Sequence, residues 1–267
     1  MSCSSEDSII IGCDPYGSIT QICDMKTPED IAALPDGKHL LLVNFGGMMT
    51  GTGYLSILDT ASGHHRKLFP SEIPIQLPYE RWGEDNCLPP NISTFRPHGS
   101  HLHQLIDGRW RYLVVNHGSR ESIELFEVDL QEKDIRLNWR GCVLAAHDTI
   151  MNDVVGLSNG DLVFTRMFRS EPSVAKRALS ILGFDTGDVW RWGKANGLQI
   201  LSGTDAAEPN GLEIAPNEKY IYVNMYFENE VWKINIDTDQ VTAKAKVSYP
   251  DNSAWGRDGS LWIASHS

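Results

Sequence analysis

The chain has 267 residues, and 35 acidic against 23 basic residues give it a formal net charge of −12 at pH 7. This charge argues against nucleic acid and anionic membrane surfaces as partners, and it suits a protein that binds cations. The sequence contains no apolar run near the ~18 residues of a membrane span and no visible N-terminal export signal. We therefore expect a soluble protein with a single domain over residues 1–267, a size at which all-β folds often form one domain.

The first predicted unit contains TPEDIAALPDG, the strand LLLVN and, after a glycine-rich link, the strand YLSILD. Weaker versions of this strand, turn, strand pattern follow along the chain. The turn signals are Asp36-Gly37, Asp107-Gly108, Asn159-Gly160, Asn217-Glu218 and Asp258-Gly259. Repeats of ~40 to 50 residues with several strands each are typical of a β-propeller, whose blades surround a central channel. Five repeat starts, and hence about five blades, are visible.

Two regions interrupt the repeats. Residues 66–97 hold six of the thirteen prolines and predict an irregular surface connection. Residues 169–182 predict a short amphipathic helix with Val174, Ala178 and Ile181 on one face. Insertions of this kind are often plain connectors, but in propellers they also form the rim of a pocket.

The cysteines predict no disulfide framework. They are odd in number and contain no C-x-x-C pair, so we expect reduced thiols and no zinc knuckle. The absence of a visible signal peptide favours the cytoplasm, whereas Cys3 near the start also fits a removed leader and hence a periplasmic or secreted protein. The five are Cys3, Cys13, Cys23, Cys87 and Cys142.

Oxygen-bearing side chains recur immediately before predicted strands. Asn210 lies between Pro209 and Gly211, where an ordinary turn residue is one interpretation and a ligand is the other. Three further starts carry adjacent pairs, namely Glu29-Asp30, Asn152-Asp153 and Asp251-Asn252. Successive side chains of an extended strand point to opposite faces, so each pair can serve two sites. Carboxylates and amides that converge on a propeller axis need a cation between them, and an all-oxygen set favours calcium over zinc.

Two histidines follow a different pattern. His98 opens the strand HLHQLI and His117 ends the strand YLVVNH, so a hairpin would bring the rings together. Such a pair near a metal could activate water, although structural hydrogen bonds in adjacent loops explain it equally well. His101 and His103 share a strand face but lack a third zinc ligand in the sequence.

The motifs TPEDIAALPDG, RPHGSHLHQLIDG, YLVVNHGSRESIELFEVD, NDVVGLSNGDLVFT, EPNGLEIAPNEKYIYVN and SYPDNSAWGRDGSLWIASH together resemble the paraoxonase/arylesterase family, which is related to the gluconolactonase and regucalcin group. The resemblance implies a six-bladed all-β propeller with two calcium ions that hydrolyses lactones and aryl esters. It also implies a sixth blade after residue 267, so that this chain lacks most of the last blade. The family's first-to-last cysteine bridge has no counterpart here, because no cysteine follows Cys142.

The resemblance also assigns roles residue by residue. His98 and His117 match the family's proposed dyad, and His266 matches a pocket histidine. Asp30, Asp153 and the main-chain carbonyl of Ser100 match the ligands of a second, structural calcium. The ligands of the catalytic calcium are matched by Glu29, Asn152, Asn210, Asp251 and Asn252.

The sequence therefore predicts a calcium-dependent hydrolase of small lactones or aryl esters, in which calcium polarises the carbonyl and the two histidines activate water. A second hypothesis is a calcium-stabilised propeller that binds a ligand or partner without catalysis. A third is a propeller similar to strictosidine synthase, which would use a catalytic glutamate in place of a metal. No feature of the sequence indicates an oligomeric state.

Overall fold

The computed structural model describes residues 12–47, 51–71, 75, 77–130, 134–146, 149–170 and 173–266. Cys3 and part of each predicted insertion lie outside these residues. Within them the strands are β1 (Pro28–Ala33), β2 (His39–Asn44), β3 (Tyr54–Asp59), β4 (His65–Phe69), β5 (Trp82–Gly83), β6 (Pro97–Gln104), β7 (Trp110–Asn116), β8 (Ser122–Asp129), β9 (Arg136–Leu144), β10 (Ile150–Gly156), β11 (Leu162–Phe168), β12 (Asp188–Gly193), β13 (Gly197–Ile200), β14 (Pro209–Ile214), β15 (Tyr220–Met225), β16 (Glu230–Asn235), β17 (Val241–Lys246), β18 (Pro250–Trp255) and β19 (Leu261–Ser265). The helix is α1 (Val174–Ile181).

The strands form the antiparallel blades of an all-β propeller. Three blades have four strands each, in the orders β1–β4, β10–β13 and β14–β17, and a fourth joins β6–β9 with β5 parallel to β9. In the described residues the fifth sheet is only the β18–β19 hairpin. The expectation of six blades is therefore wrong for this structure, because five turn signals supply five inner strands and the fifth sheet has two strands.

The first strand of each sheet lies next to the first strand of the following sheet. Thus β1 contacts β6, β6 contacts β10, β10 contacts β14, and β14 contacts β18. The amide of Asn252 on β18 donates to the main-chain oxygen of Glu29 on β1 at 3.2 Å, so the first and last inner strands also meet. The starts of all five inner strands consequently surround one axis.

The five predicted turns are confirmed, and each joins an inner strand to its neighbour. In every turn the Asp or Asn side chain accepts a hydrogen bond from the backbone N–H two residues later, which is the Asx-turn contact. Four turns place glycine in the left-handed region, and Glu218 adopts the same conformation at φ 54°. Local turn chemistry thus sets the repeat.

The apolar side chains are buried between neighbouring blades. One core lies between the first and second blades, with Phe95, Tyr112 and Phe126 fully buried. The other two cores lie between later blades and include Met151 and Leu212. Burial of these faces against each other fixes the blades around the axis.

The interruptions differ in part from their predictions. Residues 66–69 belong to strand β4, so the irregular connection begins later than expected. The predicted helix is present as α1, with Ser173 as its N-cap. Its apolar face is solvent-exposed, since Val174 and Ile181 are 91% and 62% exposed. No helix among the described residues is long and apolar enough to cross a bilayer.

The prediction of reduced thiols is wrong. Cys13 pairs with Cys23, and Cys87 pairs with Cys142 across 55 positions of sequence. The second disulfide ties the irregular connection to β9. The second pair could not be read from the sequence, because it depends on how two distant segments pack.

Candidate functional site

Every inner strand loses register with its neighbouring strand at the predicted site residues. A β-bulge changes the direction of the side chains it contains, so these breaks turn the polar residues toward the axis. Four breaks begin at a proline, which has no N–H to offer the ladder. The breaks lie between Pro28 and Asp30, Pro97 and Ser100, Met151 and Val154, Pro209 and Leu212, and Pro250 and Ser253.

The backbone before three of these prolines is strained. Thr27, Glu208 and Tyr249 have φ angles of 42°, 58° and 41°, in a region that non-glycine residues rarely adopt. Such conformations cost on the order of 1–3 kcal/mol each and occur mostly at functional sites. The strands around the axis therefore start from conformations that the surrounding structure must hold in place.

Glycines after His98 and Asn210 allow the inner strands to approach each other. A Cβ on Gly99 would lie 2.5 Å from the carbonyl oxygen of Asn152, and one on Gly211 would lie 2.3 Å from that of Asp251. No real Cβ tolerates such contacts. The glycines of the Pro-His-Gly and Pro-Asn-Gly motifs are thus required by close packing around the axis.

Glu29 lies at the centre of the first group of site residues. One of its carboxylate oxygens, Oε1, is 3.5 Å from Nε2 of His98 and 3.5 Å from Nδ2 of Asn252. His98 in turn contacts the main-chain oxygen of Asn152 through Nδ1 at 3.1 Å. The structure therefore brings together residues from β1, β6, β10 and β18.

Asn210 and Asp251 adjoin this group. The side-chain amide of Asn210 faces the carboxylate of Asp251 and opposes the rise in its pKa, and His266 lies 3.5 Å from the same carboxylate through Nε2. The other ring nitrogen of His266 is 3.0 Å from the hydroxyl of Tyr226. The side chain of His266 is 62% exposed, so these residues form the solvent side of the site.

Three buried acceptor oxygens in this site have no hydrogen-bond donor among the described residues. They are Oε2 of Glu29, Oδ1 of Asn152 and Oδ1 of Asn210. Asn152 and Asn210 are only 4% and 8% exposed. An unsatisfied buried acceptor costs about 1–3 kcal/mol, so three on one axis need a cation or donor to compensate them. Oxygen ligands of this kind fit calcium.

The carboxyl groups around the axis resist ionisation. Burial raises the pKa of Glu29 well above 4.5, and the nearby carboxylates of Asp30 and Asp251 raise it further. Burial likewise raises the pKa of Asp251, with smaller opposing effects from His266 and Asn210. Burial also lowers the pKa of His98 to about 3, so its ring is neutral at pH 7. Negative charge here is costly without a cation.

A second group contains Asp30 and Asp153, the sequence neighbours of Glu29 and Asn152, together with Ser100. Asp30 accepts from both the backbone N–H and the hydroxyl of Ser100 at 2.7 Å, and Asp153 accepts from the N–H of Leu212 at 2.9 Å. Burial raises the pKa of both aspartates, and the pKa of Asp153 is raised further by Asp30. Each carboxylate oxygen already accepts a hydrogen bond. No carboxylate oxygen of Asp30 or Asp153 lacks a hydrogen-bond donor. The feature that fits a second cation is therefore the closeness of the two buried carboxyl groups.

His98 and His117 lie side by side, with ring centroids 5.0 Å apart. The ring of Phe45 packs against both, at 4.8 Å and 6.0 Å. Nδ1 of His117 is 2.7 Å from Oε1 of Glu121. Because the acceptors are a carbonyl and a carboxylate, Nδ1 is the donor in both rings. In a neutral ring with this tautomer, Nε2 carries the lone pair.

Glu121 was not predicted from the sequence. The only local signal is its position four residues after His117, within a turn whose shape the sequence does not specify. His101 and His103 use their ring nitrogens within the protein: His103 accepts from Arg111 at 2.9 Å, and His101 accepts from the N–H of Gly156 at 3.2 Å. These contacts account for both rings without zinc.

No group of three or more His, Cys, Asp or Glu side chains with metal-binding geometry occurs in the part of the chain that the structure describes. The residues gathered by the inner strands are instead a mixture of carboxylates and asparagine amides. Amide oxygens are ordinary calcium ligands but poor zinc ligands. The mixture of carboxylates and amides therefore favours calcium over zinc.

Comparison with known proteins identifies the family. The family model described as Arylesterase matches residues 86–267. The chain belongs to the arylesterase family. The resemblance to the paraoxonase/arylesterase family is therefore confirmed, and membership supports hydrolysis of esters or lactones in general. No curated protein matches this arylesterase-family chain.

Solved structures similar to this arylesterase-family protein share its propeller fold. A gluconolactonase from Xanthomonas campestris is 17% identical, with 92% of this chain and 72% of that chain covered and a TM-score of 0.54. The calcium-binding protein regucalcin from Agrobacterium tumefaciens is 17% identical, with coverage of 92% and 69% and a TM-score of 0.51. A periplasmic gluconolactonase from Pseudomonas aeruginosa is 14% identical, with coverage of 88% and 64% and a TM-score of 0.52.

Proposed function

We propose that this protein is a calcium-dependent hydrolase of small lactones or aryl esters. The observation that carries the proposal is the set of three buried oxygens without donors, on Glu29, Asn152 and Asn210. They come from β1, β10 and β14 and would each be compensated by one shared cation. Family membership supplies the reaction class, and the donor chemistry favours calcium.

The proposed catalytic calcium would be held by Glu29, Asn152, Asn210, Asp251 and Asn252. A second calcium would be held by Asp30, Asp153 and the carbonyl of Ser100. When bound, calcium supplies Lewis-acid polarisation of the substrate carbonyl and balances the negative charge that develops on its oxygen.

His98 is the proposed base. Its Nδ1–H is directed to the main-chain oxygen of Asn152, so Nε2, which lies 3.5 Å from Oε1 of Glu29, carries the lone pair that can take a proton from water. The water oxygen then forms a bond to the carbonyl carbon. When the carbon–oxygen bond to the leaving group breaks, that oxygen receives the proton from His98. A lactone gives a hydroxy acid, and an aryl ester gives an acid and a phenol.

His117 supports this step from the other side of the dyad. Its ring lies against that of His98, and its buried Nε2 has no partner among the described residues. A protonated His98 therefore has a neighbouring base to which the charge can be passed. Phe45 packs on both rings and holds them side by side.

The substrate would enter from the side of His266. Tyr226, Phe227 and Tyr249 form an aromatic cluster there, with the Tyr226 ring 4.9 Å from Phe227 and 5.4 Å from Tyr249. Aromatic walls beside Asp251 fit the apolar ring of an aryl ester or the acyl part of a lactone. We therefore propose that the loops that follow β15 and precede β18 determine substrate specificity.

We also propose that residues 1–267 form a single domain, because the inner strands of every sheet meet at one axis. The two disulfides favour an oxidising compartment, such as the periplasm or the extracellular space, over the cytoplasm.

The test compares hydrolysis of phenyl acetate and a lactone panel in calcium, in chelator and after calcium is restored, with metal content measured by mass spectrometry. We expect activity to disappear with calcium and to return with it. Full activity in protein shown to be metal-free would disprove the mechanism. Calcium-dependent melting without hydrolysis of any substrate would favour the non-catalytic propeller instead.

A further inference from the structure

We propose that Glu121 is a positioning residue that fixes the tautomer of His117 and ties this histidine to the strand that carries Asn152. The inference rests on the proposed function, since it concerns how the dyad is held. Glu121 lies in the turn between β7 and β8, and no part of it needs to touch the substrate.

The carboxylate of Glu121 bridges two elements of the site. Oε1 is 2.7 Å from Nδ1 of His117, and Oε2 accepts the backbone N–H of Met151 at 3.2 Å. The side chains of Glu121 and His117 are only 16% and 9% exposed, so water competes little for these contacts. Both oxygens of one carboxylate are therefore committed inside the protein.

The second contact exists because of the register break in β10. The pairing between β10 and β11 shifts on both sides of Met151, which frees its N–H from the regular ladder. Glu121 accepts this N–H immediately before Asn152. The same side chain thus holds a catalytic histidine and the backbone next to a proposed calcium ligand.

A carboxylate at this place determines which nitrogen of His117 carries the proton. An ionised carboxylate only accepts hydrogen bonds, so Nδ1 must be the protonated nitrogen and Nε2 must present its lone pair. If Nε2 takes a proton during turnover, the resulting imidazolium faces a negative charge 2.7 Å away. This is the function of the acidic member in other acid–base triads.

Neighbouring charges do not replace Glu121 in this role. Arg120, the adjacent residue, pairs with Glu124 at 2.9 Å. Arg96 donates to the main-chain oxygen of His117 at 2.7 Å. Among the described residues, Glu121 is the carboxylate in hydrogen-bond contact with the His117 ring.

The experiment uses the Glu121→Gln variant of the full chain with calcium bound. Glutamine has one acceptor oxygen, so it can satisfy His117 or Met151 but not both. We expect kcat for phenyl acetate to fall ~10–100-fold, as is usual when a supporting hydrogen bond is lost, with KM changed by less than about twofold. Glu121→Asp, which keeps the charge, should recover part of this loss.

The matched control is Glu127→Gln. Glu127 accepts from Arg140 on the outer part of the same blade, away from the axis, and its loss should leave kcat unchanged. The His117 tautomer is read directly from ¹⁵N chemical shifts of the imidazole. The native protein should show a single Nδ1–H form, and Glu121→Gln should show a mixture.

Two results would overturn the inference. One is a native His117 with its proton on Nε2, which needs no variant and stays informative if Glu121→Gln does not fold. The other is a Glu121→Gln protein with native kcat and a single Nδ1–H form. A His117→Gln variant with full activity would instead refute the role of the dyad in the proposed function, while the ¹⁵N spectrum would still decide whether Glu121 sets the tautomer.

Discussion

Replacement of Asn152 by alanine should have opposite effects on stability with and without calcium. The side chain is 4% exposed, its oxygen has no donor within the described residues, and its amide nitrogen reaches only the sulfur of Met167 at 3.9 Å. Without metal the native amide therefore carries an unsatisfied acceptor worth about 1–3 kcal/mol. Asn152→Ala removes that cost and leaves only a small cavity, which costs roughly 1 kcal/mol.

The two terms nearly cancel in chelator, so the free energy of unfolding should stay the same or rise by up to about 2 kcal/mol. In calcium the same change removes a ligand. Each tenfold loss of affinity lowers the calcium-dependent stabilisation by about 1.4 kcal/mol, and one lost ligand should weaken binding at least that much.

Urea denaturation in chelator and in millimolar calcium measures both effects. Asn116→Ala is the control, because this buried asparagine accepts from the N–H groups of Arg96 and Gly118 and donates to Ser122. It should be destabilised equally in both conditions. If Asn152→Ala were destabilised equally as well, the orphaned oxygen would not be a calcium ligand and the reasoning would fail.

Three further predictions concern the same axis. Because the pKa of Glu29 is raised in the folded protein, this group should add stability to the metal-free protein as pH falls from 7 toward about 5, where the folded state takes up the proton first. The lowered pKa of His98 acts in the opposite sense, so the contribution of Glu29 is measured as the difference between the native protein and Glu29→Gln in thermal unfolding against pH. The pH dependence of that difference should be present in chelator and absent in calcium. His98→Gln should lower kcat for phenyl acetate by ~10²-fold. Asn210→Ala, which removes a proposed ligand, should lower kcat/KM more than His98→Gln does. The opposite ranking in steady-state assays would speak against calcium as the main source of rate enhancement. Gly99→Ala should lower the free energy of unfolding by about 3 kcal/mol or more, because its Cβ would meet a main-chain oxygen of β10 at 2.5 Å. Gly37→Ala, with open space around it and a φ of 67°, should lower it by only about 1 kcal/mol in the same denaturation assay.

The repeat was predictable from the sequence because its signals are local. Asp36-Gly37 and its four counterparts form Asx turns, in which a side chain accepts from the backbone N–H two residues later. The local sequence is therefore enough to predict them. The outer strands escaped prediction for the opposite reason. β17, for example, is exposed along five of its six residues and has no apolar alternation to mark it.

The residue types of the site were also predictable, whereas their connections were not. The Pro-Asn-Gly and Pro-His-Gly motifs pointed to Asn210 and His98, because polar side chains before buried strands need partners. The register breaks that turn these residues inward depend on pairing with a second strand. Glu121 could be found only once the turn after His117 was seen to fold back onto β10, and the disulfide between Cys87 and Cys142 depends equally on tertiary contact.

The contact between Glu29 and Asn252 joins residues 223 positions apart. If the proposed calcium binds here, its pocket forms only after the intervening blades have assembled, since its oxygens come from β1, β10, β14 and β18. Tight calcium binding would then be a property of the fully folded propeller alone. At low calcium concentration, partly folded chains would therefore be more populated, and calcium binding would stabilise the last step of blade assembly.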